Sequence, residues 1–413
     1  MTDQPTPTGP RRAAVVFIFI TLVLDMFALG MIIPVLPKLV EMFLGGNTAR
    51  AVEIFGLFST AWALMQFVFS PVHGVLSDHF GRRPLILLSN IGLGLDYILM
   101  ALAPDLWWLF AGRLISGICA ASIGTSYAYI ADVTPPEQRA GKFGLLGAAI
   151  GVGFVLGPAV GGVLGVYDPR LPFWVAAGLS LVNALYGFFV LPESLPRERR
   201  SALDWRKANP IGALRFLRSH TELTGLAAVN FLTNLAHVAL PAIFVLYTGY
   251  RYGWNERDVG LSLAGYGVSY MIVQAVLTGR MVKRFGERTM LLVGLIFGVT
   301  GFVILGLAPN GIWAWIGIPV TSAWGFAGPA LQSMMSRKVS ESEQGQLQGA
   351  NGSLQGISSL VGPMIFASIF AYAIGAGSAW QVPGASFLLA SLMLAAAAVL
   401  AWRITRPRAE AAA

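Results

Sequence analysis

Apolar residues run through this chain in stretches of roughly helix-crossing length, broken by short polar hinges and without the alternation of strands. A helix needs about 20 mostly apolar residues to cross a bilayer, and in hydrocarbon its backbone must be satisfied within the segment. On that rule the pattern predicts spans at 13–36, 52–72, 84–103, 107–130, 143–166, 173–191, 222–247, 259–282, 289–308, 311–335, 347–374 and 383–403. The expected fold class is an all-α membrane protein. The first stretch is longer than the apolar part of a signal peptide and holds Asp25 and Pro34, so it is expected to stay as a span.

The hinges repeat. Residues 74–83, "GVLSDHFGRR", follow the second span, and residues 279–288, "GRMVKRFGER", follow the eighth; both read G-x6-G-x-R, 205 residues apart. A second echo joins "VTPPEQRAGKFG" (133–144), running into Gly157 and Pro158, to "VSESEQGQLQG" (339–349), running into Gly362 and Pro363. The chain therefore divides into two homologous six-span halves, 1–191 and 221–413, around a basic linker at 192–220. The linker stretch "LDWRKANPIGALRFLRS" is expected to lie along the membrane interface.

Composition agrees with a membrane class: 55% of residues are hydrophobic and 12% charged, at a mean hydropathy of +0.67, about half the usual charged share. Lys and Arg in short connections gather on the cytoplasmic side. With the N-terminus inside, 22 of the 28 basic residues fall on the inner side, Lys38, Arg50, Arg170, Arg251 and Arg257 fall outside, and Arg113 lies within a span. Both termini are thus expected in the cytoplasm of a multi-pass plasma (inner) membrane protein. The net charge of +8 then belongs to a lipid surface, with no call for nucleic acid. Cys119 is the lone cysteine and the four histidines are scattered, which gives neither a disulfide framework nor metal-ligand spacing. No Ser/His/Asp set or phosphate-binding loop is present, so neither an enzyme nor a cofactor is expected.

Two membrane halves in repeat are the architecture of transporters that rock about a central site. The hinge "GVLSDHFGRRP" (74–84) resembles the signature loop of the major facilitator superfamily, with His79 where that motif usually carries arginine. "GVGFVLGPAVGG" (151–162) resembles its antiporter motif, and "LDMFALGMIIPVLP" (24–37) the first-span motif of its drug exporters. With "GRLISGI" (112–118) and "EQGQLQG" (343–349), the chain is similar over essentially its whole length to the tetracycline/proton antiporter branch. The resemblance implies the major facilitator fold and a monomer in the bilayer. It also implies proton-coupled export of a drug-like or amphipathic organic compound by alternating access. The alternative is a proton-coupled importer or symporter of a small metabolite on the same fold.

Residue chemistry fills in that outline. Gly74 and Gly81 permit a tight turn, and Asp78, Arg82 and Arg83 can pair across the cytoplasmic ends of the two halves, so these five form the expected gate. Gly153, Gly157, Pro158, Gly161 and Gly162 make a small-residue face on the fifth span, where helices can touch backbone to backbone; the resemblance adds the antiport role. Asp25, Asp96 and Arg113 are ionisable residues in mid-span. Each costs on the order of 2.5–3.5 kcal/mol at a helix centre. A low-dielectric interior favours the neutral form of a carboxyl group, as a proton carrier needs. The two aspartates are therefore the expected proton sites, with Arg113 as their modulating partner.

The second half offers amides and aromatics instead: Asn230, Asn234, His237, Tyr266, Tyr270, Gln274, Trp324, Gln332 and Gln355. Two stripes at helical spacing, Asn230–Asn234–His237 and Tyr266–Tyr270–Gln274, suit an amphipathic cargo or glue between helices. Laid on the tetracycline antiporters, the glutamine of the eighth span matches Gln274. The family's eighth-span histidine falls on Tyr270 and its ninth-span aspartate on Gly298. Coupling is therefore expected mainly from Asp25, Asp96 and Arg113, with metal-tetracycline a poor substrate.

Overall fold

Backbone groups that cannot reach water close their hydrogen bonds within the segment, and the long apolar runs accordingly fold as helices. A computed structural model describes residues 10–120, 123–203, 220–340, 343–375 and 381–406, and no strand occurs among them. The described helices are α1 (Pro10–Ile32), α2 (Leu36–Phe43), α3 (Thr48–Phe80), α4 (Arg82–Ala101), α5 (Leu106–Cys119), α6 (Ile123–Val133), α7 (Pro136–Tyr167) and α8 (Leu171–Val190). After the linker come α9 (Thr221–His237), α10 (Ala239–Tyr252), α11 (Glu256–Ile272), α12 (Gly279–Phe285), α13 (Glu287–Leu307), α14 (Gly311–Ser322), α15 (Ala327–Ser336), α16 (Gln344–Ile374) and α17 (Ala385–Ile404). Residues 204–219, with most of the expected interfacial stretch, lie outside the described residues.

Eleven helices among the described residues are long and apolar enough to cross a membrane. The remaining expected span, 311–335, is present as α14 and α15 joined through a 3₁₀ segment, Ala323–Phe326. Pro319 within α14 and Gly325 in the 3₁₀ segment explain the interruption: one lacks a backbone donor and the other tolerates the tighter turn. The eighth span is irregular too, since a π-helical turn, Val273–Thr278, separates α11 from α12.

The repeat is visible in the details of the chain. Gly81 (φ 106°) caps α4 and Gly286 (φ 79°) caps α13, both in backbone that disfavours a side chain. At the same 205-residue offset, Asp105 caps α5 by accepting from the backbone N–H of Trp107 and Trp108, and Asn310 caps α14 through Ile312 and Trp313. Pro158 lies inside α7 and Pro363 inside α16.

Two compact units emerge. The first gathers 10–39, 61–203 and 255–264, and its core includes Phe17, Ile18, Leu22, Ile86, Tyr129, Ile130 and Leu146. The second gathers 40–60, 220–254 and 265–406. Its centre is Tyr247, whose ring meets Phe370 and Phe387 edge-on and whose hydroxyl donates to the Leu305 carbonyl at 2.7 Å.

Candidate functional site

In the first unit the three mid-span charges come together. Asp25 on α1 is 7% exposed and Asp96 on α4 1% exposed, while Arg113 on α5 is 9% exposed. Thr21 Oγ1 donates to Asn183 Oδ1 at 3.1 Å, and this turns the Asn183 Nδ2 towards Asp25 Oδ1, 3.4 Å away. Asp25, Trp62, Tyr97, Arg113 and Ser116 line a cavity of ≈ 20 Å³, enough for a water-sized group. Asp96 sits against Gly112, one residue before Arg113: a Cβ there would lie 2.9 Å from Asp96 Oδ1. Both Asp96 carboxylate oxygens and Arg113 Nε are buried without a hydrogen-bond partner. Arg113 lies over the Trp62 ring, 5.1 Å from its centre. The arrangement brings a carboxylate, a cation and a small cavity together without locking the charges into a direct pair, so proton uptake need not break an ion pair.

The hinge after α3 is built differently from the sequence expectation. Gly74 lies within α3 with open space where a Cβ would go, so the turn rests on Gly81. Arg82 Nη1 meets Asp78 Oδ1 at 2.5 Å and donates to Ser77 Oγ at 2.6 Å, while its Nε reaches Asp132 Oδ2 at 3.1 Å. Arg83 Nη2 donates to the Phe188 carbonyl at 2.5 Å, and the guanidinium lies over that ring.

The first residues of the linker strap onto this hinge. Glu193 accepts from the first two backbone N–H groups of α4, at 2.9 Å from Arg82 and 3.3 Å from Arg83, so a carboxylate meets the positive end of the helix. A Cβ at Gly81 would strike that carboxylate. Ser201 N donates to the Asp78 carbonyl at 3.0 Å, and His79 Nδ1 lies 2.9 Å from the Ser201 carbonyl. All these partners belong to the first unit.

The glycines of α7 sort into two faces. Gly153, Gly157 and Gly161 press on the backbone of Met26, Phe27, Gly30 and Met31 in α1, and Pro158 packs on Gly30. Gly162 instead meets Glu256 and Gly260 of α11. The helix bearing Asp25 is thus held backbone to backbone by the motif that resembles the antiporter signature.

In the second unit the polar candidates form two clusters. Asn230 and Asn234 join Gln332 through Asn351, with bonds of 3.1, 3.0 and 2.9 Å along the file. Gln274 Nε2, in the π-helical turn, donates to the Tyr270 hydroxyl at 2.8 Å and to the Gly325 carbonyl at 3.1 Å, which pins that turn to the 3₁₀ segment of the tenth span. Tyr266 and Tyr270 stack, and His237 lies 5.5 Å from Trp324 between ring centres. Gln355, one turn beyond Asn351, is exposed and outside both clusters.

The hinge has a counterpart here with its signs exchanged. Asp78, Arg82 and Asp132 fall, 205 residues on, at Lys283, Glu287 and Arg337. Glu287 Oε1 pairs with Arg337 at 2.7 Å and accepts from Ser333 Oγ at 2.6 Å. At the start of α16, Glu343 accepts from Ser340 Oγ at 2.6 Å and Ser340 N at 3.0 Å, which hold its carboxyl below the usual range, and faces His220 at 3.3 Å.

Sequence reasoning passed over Asn183, Asp132, Glu193 and Asn351. Asp132 could have been found from the opposite charge of Arg337 at the 205-residue offset; Asn183 and Asn351 are marked out only by the partners that the fold brings to them.

The model of the Major Facilitator Superfamily matches residues 18–363. The chain is 39% identical over 381 residues to the class C tetracycline resistance protein of Escherichia coli, covering 91% of this chain and 95% of that one. It is 38% identical to the class G tetracycline resistance protein of Vibrio anguillarum, over 89% and 93% of the two chains. Among solved structures it is similar to the human organic anion transporter MFSD10, with a TM-score of 0.70 and 26% identity over 95% of this chain and 100% of that one.

Proposed function

The chain belongs to the Major Facilitator Superfamily, in the branch of the tetracycline resistance proteins, and from that premise we propose that it is a proton-coupled antiporter exporting a drug-like or amphipathic organic compound. The observation that carries this reading is the first-unit site, where Asp25, Asp96 and Arg113 surround or adjoin one small cavity and neither aspartate is tied to Arg113. A carboxylate that can be reached, held by one amide and left without a fixed counter-ion can gain and lose a proton during a cycle. Alternating exposure of such a site to the two sides links the proton gradient to cargo movement, because whichever ligand is bound shifts the population of the state that favours it.

The finer reading follows the charge pattern. Two six-helix halves, 1–191 and 221–413, are joined by the linker 192–220, and a monomer sits in the plasma (inner) membrane with both termini cytoplasmic. The Asp78–Arg82–Asp132 cluster and its strap act as the gate of the first half, and Glu287–Arg337 answers it in the second. Transport, with no chemical change of the cargo, is the activity. A metabolite importer on the same fold has no observation in its favour here.

Inverted membrane vesicles with an acid interior test the assignment. Adding a transported compound should release protons from the vesicles and accumulate the compound inside. Cargo entering together with protons leaving supports antiport; cargo and protons moving in the same direction overturns it.

A further inference from the structure

Four side-chain amides in the second unit form a single file across three helices. Asn234 Nδ2 donates to Asn230 Oδ1, Asn230 Nδ2 to Asn351 Oδ1, and Asn351 Nδ2 to Gln332 Oε1. Every bond runs in the same direction, so each amide polarises the next and strengthens the donor at the far end. That end is Gln332 Nε2, buried and without an acceptor. A buried donor left unpaired is costly, and a file joining α9, α16 and α15 is more than local capping.

The repeat sharpens the point. At the 205-residue offset Asn230 falls on Asp25. The helices that carry them are both interrupted beyond the same position, from Ile33 in one and at Val238 in the other. The first half thus has a titratable group where the second has an amide, which donates and accepts hydrogen bonds but carries no proton for exchange. His237 and Trp324 add an aromatic surface on the same side of the repeat.

We propose that this amide file recognises the cargo in the second half. Asn351 is a specificity-determining residue within it, and the cargo presents a hydrogen-bond-accepting carbonyl oxygen to Gln332 Nε2. The inference rests on the exporter reading for what the bound compound is. The division of labour is then explicit: the first half takes the proton at Asp25, and the second half reads neutral acceptor oxygen.

Matched probes test it. Fluorenone and fluorene differ at one carbonyl, and so, with two, do anthraquinone and anthracene. Their binding to the purified full chain in detergent micelles is measured by quenching of tryptophan fluorescence. The native protein should bind each carbonyl compound about tenfold more tightly than its hydrocarbon, the worth of one well-made hydrogen bond. Asn351→Leu and Gln332→Leu should remove the preference, so that each carbonyl compound and its hydrocarbon bind with equal affinity. Should Asn351→Leu not fold, Asn351→Ser, too short to reach Gln332, gives the same reading. Equal binding of ketone and hydrocarbon by the native protein, or a preference that survives in both Gln332 and Asn351 variants, overturns the inference. If the preference holds but proton movement in inverted vesicles ignores the carbonyl compounds, the binding inference stands and the exporter reading falls.

Discussion

Asp25 raises the cost of inserting the first span, and that cost is what made it legible. An ionisable group in hydrocarbon must face the bundle or water, so Asp25, Asp96 and Arg113 stood out by position alone, and the structure brings all three to one place. Asn183 gave no such signal, because an amide costs less to bury and its bond to Asp25 joins residues 158 apart in the chain. Asn351 was missed for the same reason. Asp25→Asn should abolish pH-driven cargo accumulation in proteoliposomes while leaving downhill exchange measurable, since the amide preserves hydrogen bonding but cannot cycle a proton. Asp96→Asn should lower the rate as well. Full pH-driven flux in the Asp25→Asn protein would show that its carboxyl is structural.

Helices here were legible as existence and less so in their interruptions. Apolar length announced each span, but the π-helical turn at Val273–Thr278 is tied to the 3₁₀ segment at Ala323–Phe326 by a tertiary bond, Gln274 Nε2 to the Gly325 carbonyl, and that pairing has no local pattern. The fifth span shows the opposite case. Its glycines were read as a contact face, and Gly157 lies so near α1 that a Cβ would stand 2.7 Å from the Phe27 carbonyl oxygen, whereas nothing lies within 4 Å of one on Gly147 of the same helix. Gly157→Ala should therefore destabilise the protein by about 1–3 kcal/mol through overpacking, and Gly147→Ala should not. Thermal unfolding of the two variants in micelles decides the matter, and equal midpoints would refute the contact. The linker was read as a basic connection lying in part along the membrane interface, yet Glu193 caps α4 from outside the hinge. Glu193→Gln removes the charge from the helix terminus, worth about 0.3–1 kcal/mol, and should alter turnover more than cargo affinity because it touches the proposed gate and not the Asp25 cavity. Reduced affinity at unchanged turnover would place Glu193 outside the gate.

At the scale of the whole molecule, positions 205 residues apart repeat a pattern but carry different chemistry. The hinge charges are inverted between the halves, and the carboxyl of Asp25 answers to the amide of Asn230. The excess of Lys and Arg on one side predicts cytoplasmic termini, so cysteines placed at Ser201 and Asn47 in a Cys119→Ala background should label from opposite sides of intact cells; labelling from one side refutes the topology. Specialisation also bears on cargo. The resemblance implies that tetracycline would travel as a metal chelate, and a bound cation favours carboxylate oxygen. The second half offers none at the two positions where the resemblance expects titratable groups. Tyr270 is engaged with Gln274, and a Cβ on Gly298 would lie 3.0 Å from Trp324 Cγ and 2.6 Å from Leu394 Cδ1, so an indole and a leucine fill the space that an aspartate would need. Expression of the chain in a sensitive host should therefore give little tetracycline resistance, and magnesium should not stimulate transport. Gly298→Asp by itself should not change that, because Trp324 and Leu394 block the new side chain; Gly298→Asp with Trp324→Ala and Leu394→Ala should accommodate it and allow magnesium to promote tetracycline binding. Robust magnesium-dependent tetracycline efflux by the unmodified chain would mean that cation recognition needs neither position, and would overturn the assignment of the second half to neutral cargo.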